Sequence, residues 1–263
     1  VIFTVGSDWK GYFDYLNDYC KVIYLERTKG ISSTQIRNEH SVRLGIVGNE
    51  IILDRFLNEM KYVSGIEVVG CYAPKDDVNP IYKSIQFQQF PQYNTYDSLL
   101  ENVDAVYINA PLNLRDNLIE KALKMGKHVL TEFPFSLNYL KAKEFVKVAS
   151  KNKLILMEGL KTAYCPAFGK MISLVKSGRI GKVLSIEANF TQILGDNLLN
   201  QVRIAGGSVA ALGAYSLLAI FKLLGYDYSK IEFITHQENR IDTTTRMNFI
   251  YDGAIATSLV AIN

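Results

Sequence analysis

The sequence predicts an α/β fold in which a doubly wound parallel sheet precedes an α+β domain with a largely antiparallel sheet. From residue 42 to residue 158, apolar runs rich in Val and Ile alternate with helical segments, as parallel strands joined by right-handed crossover helices do. Beyond residue 159, long strand-like runs follow one another with little helix between them, which favours antiparallel pairing. Residues 1–40 precede this alternation with a strand, a turn, a short helix and a second strand.

Each strand or helix is predicted from the spacing of its apolar residues, and its ends from polar or Gly-containing segments. The first part has strands at 1–5 and 21–25 and a helix at 13–19. The second part has strands at 43–47, 66–72, 104–110, 128–132 and 154–158, and helices at 51–60, 95–101, 114–125 and 137–152. The third part has helices at 166–177 and from Gly207 onward, and strands at 182–193, 230–236, 243–251 and 254–262. We therefore expect three domains, at residues 1–40, 41–158 and 159–263, the last cut short because the chain stops in a strand.

Charge and hydropathy exclude several classes of partner. The chain has 29 basic and 26 acidic residues, a net charge of +3, and no basic stripe or tail, so we expect neither nucleic acid nor a membrane surface as a partner. The longest apolar stretch, residues 209–221, is interrupted by Gly213 and Ser216 and is shorter than the roughly 20 residues that a membrane span needs. We expect this stretch to be a buried helix.

Cysteine and histidine usage bears on metal binding and location. The three cysteines, Cys20, Cys71 and Cys165, lie far apart and outside any CxxC spacing, which is typical of reduced thiols in a cytoplasmic protein. Only three histidines are present, so we expect no metal site.

Four segments carry a family resemblance: Arg43-Leu44-Gly45-Ile46-Val47-Gly48, Asp104 to Pro111, Gly126 to Pro134, and Gly206-Gly207-Ser208. In this order and spacing they resemble the Gfo/Idh/MocA family of NAD(P)-dependent oxidoreductases, over about residues 42–263. The resemblance implies a Rossmann domain that binds NAD or NADP, a C-terminal sheet domain that holds a small-molecule sugar or polyol substrate, and a homo-oligomer. The cofactor-binding positions that it implies are Gly45, Gly48, Asn49, Ala110, Pro111, Glu132 and Pro134.

The first strand-to-helix turn departs from the family pattern. The family has GxGxxG or a close variant, but this chain has Glu50 and Leu53 after Gly48. A carboxylate at Glu50 would oppose the attraction of a helix N-terminus for a diphosphate, which argues against the usual cofactor pose. The alternative is that Gly48 only makes the turn. Lys75, after the second strand, favours NADP over NAD, unless it is a solvated loop lysine.

The positions that imply catalysis also depart from the family. Glu132-Phe133-Pro134 has Phe133 where the family has a lysine, and Ala211 stands where the family has an aspartate. The remaining candidates for catalysis are Tyr215, whose alternative role is packing, and Lys161, whose alternative is a solvated strand end. Arg115 stands where the family often has a histidine; it could bind a phosphate or carboxylate, or lie on the surface at a helix start.

The first 40 residues carry a second resemblance. Gly6-Ser7-Asp8-Trp9-Lys10-Gly11 and the run from Tyr24 to Ile36 are similar to the C-terminal third of a glycerol-3-phosphate-type cytidylyltransferase. The resemblance implies CTP binding by the side chains of Arg27, Ser32, Ser33 and Thr34. The histidine motif of that family is absent from this sequence, so this fragment by itself cannot complete a cytidylyl transfer. The alternative is a remnant without activity.

These observations support two functional hypotheses. In the first, the chain is part of a bifunctional enzyme that joins CTP-dependent activation of polyol phosphates to an impaired NAD(P)-linked reductase, for cell-surface polymers such as teichoic acid. In the second, the reductase-like part has lost hydride transfer and serves dimerisation or ligand sensing, because Glu50, Phe133 and Ala211 remove three separate requirements of one mechanism. A third, nucleotide-sugar binding in the cofactor cleft, has no residue pair that divides acid and base roles.

Overall fold

The computed structural model describes residues 1–26, 41–48, 52–74, 87–193 and 206–262. The backbone contacts divide the chain into two compact units. The first unit is Val1–Val42 with Tyr62–Ile66, and the second is Arg43–Lys61 with Glu67–Asn263.

The first unit contains a parallel pair of strands, β1 (Ile2–Gly6) and β2 (Lys21–Leu25). Two short 3₁₀ helices, Ser7–Trp9 and Asp14–Asp18, connect the strands. The second of them lies where the sequence predicts a short helix at 13–19, and it is of the 3₁₀ type. The Phe13 ring packs against neighbouring aromatic rings, and its backbone N–H donates to the Tyr24 hydroxyl (3.0 Å). Local aromatic packing and this bond therefore hold the connection.

A five-stranded parallel sheet forms the first part of the second unit. Its strands are β3 (Val42–Val47), β4 (Ile66–Tyr72), β5 (Ala105–Ile108), β6 (His128–Thr131) and β7 (Leu156–Glu158), in the spatial order β4-β3-β5-β6-β7. The helices are α1 (Leu53–Met60), α2 (Tyr96–Glu101), α3 (Leu112–Lys124) and α4 (Tyr139–Lys151). A further 3₁₀ helix spans Phe87–Gln89. The doubly wound sheet that the sequence predicts is confirmed.

The apolar strands of this sheet are buried on both faces. In β5, Val106 and Ile108 belong to one hydrophobic cluster, while Tyr107 belongs to another that contains Leu53 of α1. Because successive side chains of a strand point to opposite faces, both faces of the sheet are covered. This explains why the strands read as continuous apolar runs rather than as an alternation of apolar and polar residues.

A second sheet of four strands follows. After a 3₁₀ helix (Lys161–Tyr164) and α5 (Pro166–Lys176), the chain forms β8 (Ser185–Gln192), α6 (Ser208–Leu224), β9 (Lys230–Glu238), β10 (Ile241–Tyr251) and β11 (Ala254–Ile262). The order is β8-β11-β10-β9, antiparallel except for β8 with β11. The sheet is therefore mixed and mostly antiparallel, as the sequence predicts. The apolar helix α6 covers one of its faces.

The start of α6 is held by a carboxylate from another strand. Asp242 accepts hydrogen bonds from the Ser208 hydroxyl (2.6 Å) and the Val209 backbone N–H (2.8 Å), so it serves as a remote N-cap. Gly207 has φ +105°, and a Cβ there would lie 1.9 Å from Asp242 Oδ1. The Gly-Gly-Ser motif therefore fits the chain closely around this carboxylate.

No helix in the described part of the chain is long and apolar enough to cross a membrane. Among the same residues, no group of three or more His, Cys, Asp or Glu side chains is arranged to hold a metal ion. All three cysteines are free, and Cys71 is buried. Burial raises the pKa of the Cys71 thiol to about 12, so we expect this thiol to be unreactive while the protein is folded.

Replacing Asp242 tests its capping role. We expect Asp242→Ala to lower the free energy of unfolding by about 1–2 kcal/mol, because two donors at the start of α6 lose their acceptor. Asp242→Asn keeps an acceptor oxygen and should cost less. Asp227→Ala removes an exposed carboxylate of the same unit and is the matched control. Thermal unfolding would contradict the assignment if the D242A and D227A variants had equal Tm values.

Candidate functional site

The site lies where the strand order of the parallel sheet reverses. The chain passes from β3 to β4 on one side and then crosses to β5 on the other side of β3. In open α/β sheets, ligands bind at such a switch point, beyond the carboxyl ends of the strands. Gly48 follows β3, and Asn109, Ala110 and Pro111 follow β5.

Gly48 brings these two strand ends into close contact. Its φ is +90°, and a Cβ there would lie 2.1 Å from the Asn109 carbonyl oxygen and 2.8 Å from Ala110 Cα. The Gly48 backbone N–H donates to the Tyr72 carbonyl (2.9 Å), and the Asn109 N–H donates to the Val47 carbonyl (2.7 Å). Only glycine fits this turn, both because of its φ angle and because of the space.

The other residues predicted for the cofactor turn and for CTP binding give little further evidence on ligand binding. Gly45 lies inside β3, where a Cβ would be 3.0 Å from Leu99 side-chain atoms, so packing requires a small residue there. Asn49, Glu50 and Lys75 lie outside the described residues. The four predicted CTP-binding residues, Arg27, Ser32, Ser33 and Thr34, also lie outside them.

Arg115, in the first turns of α3, is buried, with 6% of its surface exposed. Its Nε donates to the Ala110 carbonyl (2.8 Å), and its Nη1 lies 3.0–3.2 Å from the carbonyl oxygens of Glu132, Phe133 and Pro134. The surface position considered for it from the sequence is wrong, because the side chain is buried. Binding of a phosphate or carboxylate stays a prediction. The guanidinium binds backbone carbonyls of two loops.

Two carboxylates stand at the ends of β6 and β7. Glu132 accepts a hydrogen bond from the hydroxyl of the buried Tyr107 (2.5 Å). Glu158 accepts one from the Phe135 backbone N–H (2.9 Å). Burial raises the pKa of Glu158, although the Phe135 hydrogen bond and the Arg115 charge act in the opposite direction. Both carboxylates therefore fix the loop that carries Phe133 and Pro134.

Phe133 takes part in an aromatic cluster. Its ring meets the ring of Tyr215 edge-on, with centroids 4.8 Å apart, and Tyr215 stacks on Phe190 of β8 at 4.5 Å. Burial, and secondly the charge of Glu132, raises the pKa of the Tyr215 hydroxyl. The phenol therefore stays protonated at neutral pH but is a weak acid. The structure places the Tyr215 ring in contact with Phe133, whereas Lys161 lies exposed in a 3₁₀ helix.

The described strand ends lie where a dinucleotide binds in open α/β sheets. Gly48 lets the ends of β3 and β5 meet, and the buried Ala110 next to it is small. Pro111 begins α3 without a side-chain cap, so the first N–H groups of that helix are not capped by a side chain of the preceding residue. A nicotinamide dinucleotide bound there would supply a hydride. The chain's own candidate for the accompanying proton is Tyr215.

Comparison with known proteins agrees with this geometry. Residues 42–160 match the Gfo/Idh/MocA model, described as an oxidoreductase family with an NAD-binding Rossmann fold. The match spans 119 of the 263 residues, so it shows that this part of the chain is similar to that family. The match covers the parallel sheet and every residue of the switch point described above.

Two relatives extend the likeness. The chain is 32% identical over 158 residues to a dTDP-3,4-didehydro-2,6-dideoxy-α-D-glucose 3-reductase of Actinomadura kijaniata, covering 58% of this chain and 47% of that enzyme. A crystal structure of a 3-ketoreductase from the same organism, in complex with NADP and TDP-benzene, superposes with a TM-score of 0.72 and 26% identity. That superposition covers 84% of this chain and 70% of the ketoreductase. The chain thus spans less than half of the curated reductase's length.

A third similarity is short. Over 37 residues the chain is 62% identical to the glycerol-3-phosphate cytidylyltransferase of Bacillus spizizenii, which is 14% of this chain and 29% of that enzyme. The match supports the resemblance and does not extend to a whole transferase domain.

The family match corrects one inference from the sequence. Glu50 and the missing second glycine argue against a dinucleotide in the usual pose, but the matched family is defined by an NAD-binding fold and the superposed ketoreductase holds NADP. The doubt about the cofactor is not supported. The sequence of one turn does not by itself decide whether a dinucleotide binds.

Three residues of the site were not predicted from the sequence: Tyr107, Phe190 and Glu158. Each lies in or at the end of a strand, where the alternation of apolar and polar residues indicates only the face of the sheet. Which of these side chains meet is decided by the pairing of strands and by α6. Arg115 was singled out in the sequence because it stands where the family often has a histidine, but the sequence does not show which groups it contacts.

Two alanine substitutions test the close approach at Gly48. Gly48→Ala and Gly126→Ala both place a side chain at positive φ, but a Cβ at Gly126 meets nothing within 4 Å. We expect Gly126→Ala to cost about 1–2 kcal/mol and Gly48→Ala about 1–3 kcal/mol more, because of the contact with Asn109. Equal losses in chemical denaturation would contradict this account.

Proposed function

We propose that this chain binds NAD(P) at the switch point and reduces a carbonyl slowly, as part of a bifunctional protein that also activates polyol phosphates with CTP. The observation that carries the proposal is the aromatic cluster: the Phe133 ring contacts Tyr215 where the family resemblance implies an ammonium group. The scaffold for the cofactor is retained, while the strongest proton donor is replaced.

Cofactor binding is supported by the strand ends and by the relatives. Gly48 and Ala110 lie at the switch point of the sheet, where dinucleotides bind in folds of this kind, and neither carries a large side chain. A 3-ketoreductase that is 26% identical to this chain binds NADP. We therefore propose NADP or NAD as the cofactor, with Gly48, Ala110, Pro111, Glu132 and Pro134 lining its site.

The proposed reaction is the reduction of a ketone to a secondary alcohol. Hydride adds to the carbonyl carbon, and the oxygen takes a proton from the protein. Tyr215 is the donor in this proposal, with its phenol proton passing to the carbonyl oxygen. Because burial raises its pKa and Phe133 supplies no positive charge to lower it, we expect slow proton transfer.

The substrate class follows from the likeness to a cytidylyltransferase. A reductase that forms an alditol phosphate from a keto-phosphate would supply the substrate for CTP-dependent activation. The 62% identity to glycerol-3-phosphate cytidylyltransferase supports this pairing. We propose that the resulting CDP-alditols serve cell-surface polymers such as teichoic acid.

A second candidate function is a non-enzymatic module for dimerisation or ligand sensing. The C-terminal sheet favours it, because the face opposite α6 carries exposed apolar side chains at Ile234, Ile250 and Ile255. Exposed apolar surface of this kind is typical of protein interfaces. A homo-oligomer is compatible with both candidates, so turnover decides between them.

Introducing a cation beside Tyr215 tests the proposed cause of slow reduction. We expect the protein to bind NADPH with micromolar affinity or better, and to oxidise it slowly with D-ribulose 5-phosphate or dihydroxyacetone phosphate. Phe133→Lys should raise turnover about tenfold or more, because an ammonium group lowers the pKa of Tyr215 and can donate a proton itself. Calorimetry and NADPH absorbance measure the two quantities.

Phe133→Met is the control, since it loosens the aromatic cluster without adding charge. A rise in turnover with F133M equal to that with F133K would show that loss of the ring, not the charge, is responsible. Turnover by the native protein near 10 s⁻¹, about the median for enzymes, would refute the proposed impairment. NADPH binding without any turnover, in the native protein and in F133K, would favour the non-enzymatic module.

The transferase half has its own test. The intact gene product, incubated with CTP and either glycerol 3-phosphate or ribitol 5-phosphate, should release pyrophosphate and form the CDP-alditol. Arg27→Ala should abolish the product, because a guanidinium fork is lost from the proposed triphosphate site. If the native protein formed no CDP-alditol with either substrate, the bifunctional proposal would be refuted.

A further inference from the structure

Arg115 joins two loops that are far apart in sequence. It lies in α3 and is buried, with 6% of its surface exposed. Nε donates to the Ala110 carbonyl at 2.8 Å, five residues earlier, and Nη1 contacts the carbonyls of residues 132–134, some 17 to 19 residues later. Each arm of the guanidinium therefore contacts a different loop.

The two loops border opposite parts of the proposed site. Ala110 follows β5 and lies against Gly48, on the side that we propose for the dinucleotide. Residues 132–134 follow β6 and carry Phe133, whose ring contacts Tyr215 at the reacting side. One side chain therefore fixes the distance between the cofactor side and the substrate side.

A buried guanidinium suits this task. Its donors are rigid and planar, so bonds from Nε and Nη1 fix the directions of both loops together, whereas a lysine ammonium is a single point of charge. Burying the charge is costly unless it is compensated. The carbonyl dipoles of both loops compensate it, and Glu158, whose carboxylate interacts with the Arg115 charge, adds an opposite charge nearby. The buried charge of Arg115 is thus compensated by backbone carbonyls and by a carboxylate.

We propose that Arg115 is a positioning residue that holds the Ala110 turn and the Glu132–Pro134 loop in one arrangement, so that the two sides of the cleft form together. The effect on cofactor binding rests on the proposed function. The coupling of the two loops does not, since it follows from hydrogen bonds within the protein alone.

The test compares two variants of the full chain, one at Arg115 and one at Lys127. Arg115→Lys keeps the positive charge and loses the fork. The control, Lys127→Met, removes a cation that donates to the Val103 carbonyl (2.9 Å) at the other end of the same sheet. Amide hydrogen exchange is measured in peptides covering residues 109–113 and 132–136, and NADPH affinity is measured by fluorescence titration.

We expect R115K to speed exchange in both peptides and to weaken NADPH binding about tenfold. K127M should lower the Tm but change neither peptide nor the affinity. Should R115K fail to fold, Arg115→Gln retains a planar donor without a buried charge and should give the same two changes.

Faster exchange in only one of the two peptides, or equal affinity losses in R115K and K127M, would overturn the proposal. If the native protein does not bind NADPH, the proposed function fails, and the exchange result still decides whether Arg115 couples the two loops.

Discussion

The backbone of Gly48 lies against the backbone of Asn109 and Ala110, so closely that a single Cβ would collide with the carbonyl between them. This approach closes the space between β3 and β5 at the point where the sheet's strand order reverses. α3 begins shortly after this contact, at Leu112. Glycine is therefore required at position 48 for the two strand ends to meet, at the switch point where ligands bind in open α/β sheets.

The residues near Gly48 fall into two groups: those that hold the loop after β6, and those that form the aromatic cluster around Phe133. Arg115, Tyr107 and Glu158 hold the loop after β6 by hydrogen bonds to its backbone or to Glu132. At the centre of that loop, Phe133 has joined Tyr215 and Phe190 in a packed aromatic cluster. Packing of the rings stabilises this part of the molecule, but it offers only a weakly acidic phenol for proton transfer. Phe133 thus adds apolar contact at a position where the family resemblance implies a lysine.

The sequence predicts the parallel sheet and its helices well, because strands buried on both faces leave an unbroken apolar signal that tertiary contacts do not change. The second sheet was predicted as largely antiparallel. The parallel pairing of β8 with β11 was not predicted, since pairing between strands 70 residues apart leaves no local pattern.

The site was predicted in part. Gly48 follows from turn chemistry, and Phe133 from its position in a motif, but the partners of Arg115 and the capping of α6 by Asp242 depend on contacts between distant segments. The doubt about dinucleotide binding rested on the charge of Glu50 alone. That one charge is a weak guide, because many backbone groups determine how a dinucleotide binds.

The central claim is that a dinucleotide binds between the ends of β3 and β5 although the chain lacks the usual lysine. A crystal structure of the protein grown with NADP⁺ tests it most directly. We predict ligand density in contact with Gly48 and Ala110, with Phe133 and Tyr215 still in ring contact beside it. Density elsewhere on the protein, or none at saturating NADP⁺, would contradict the claim.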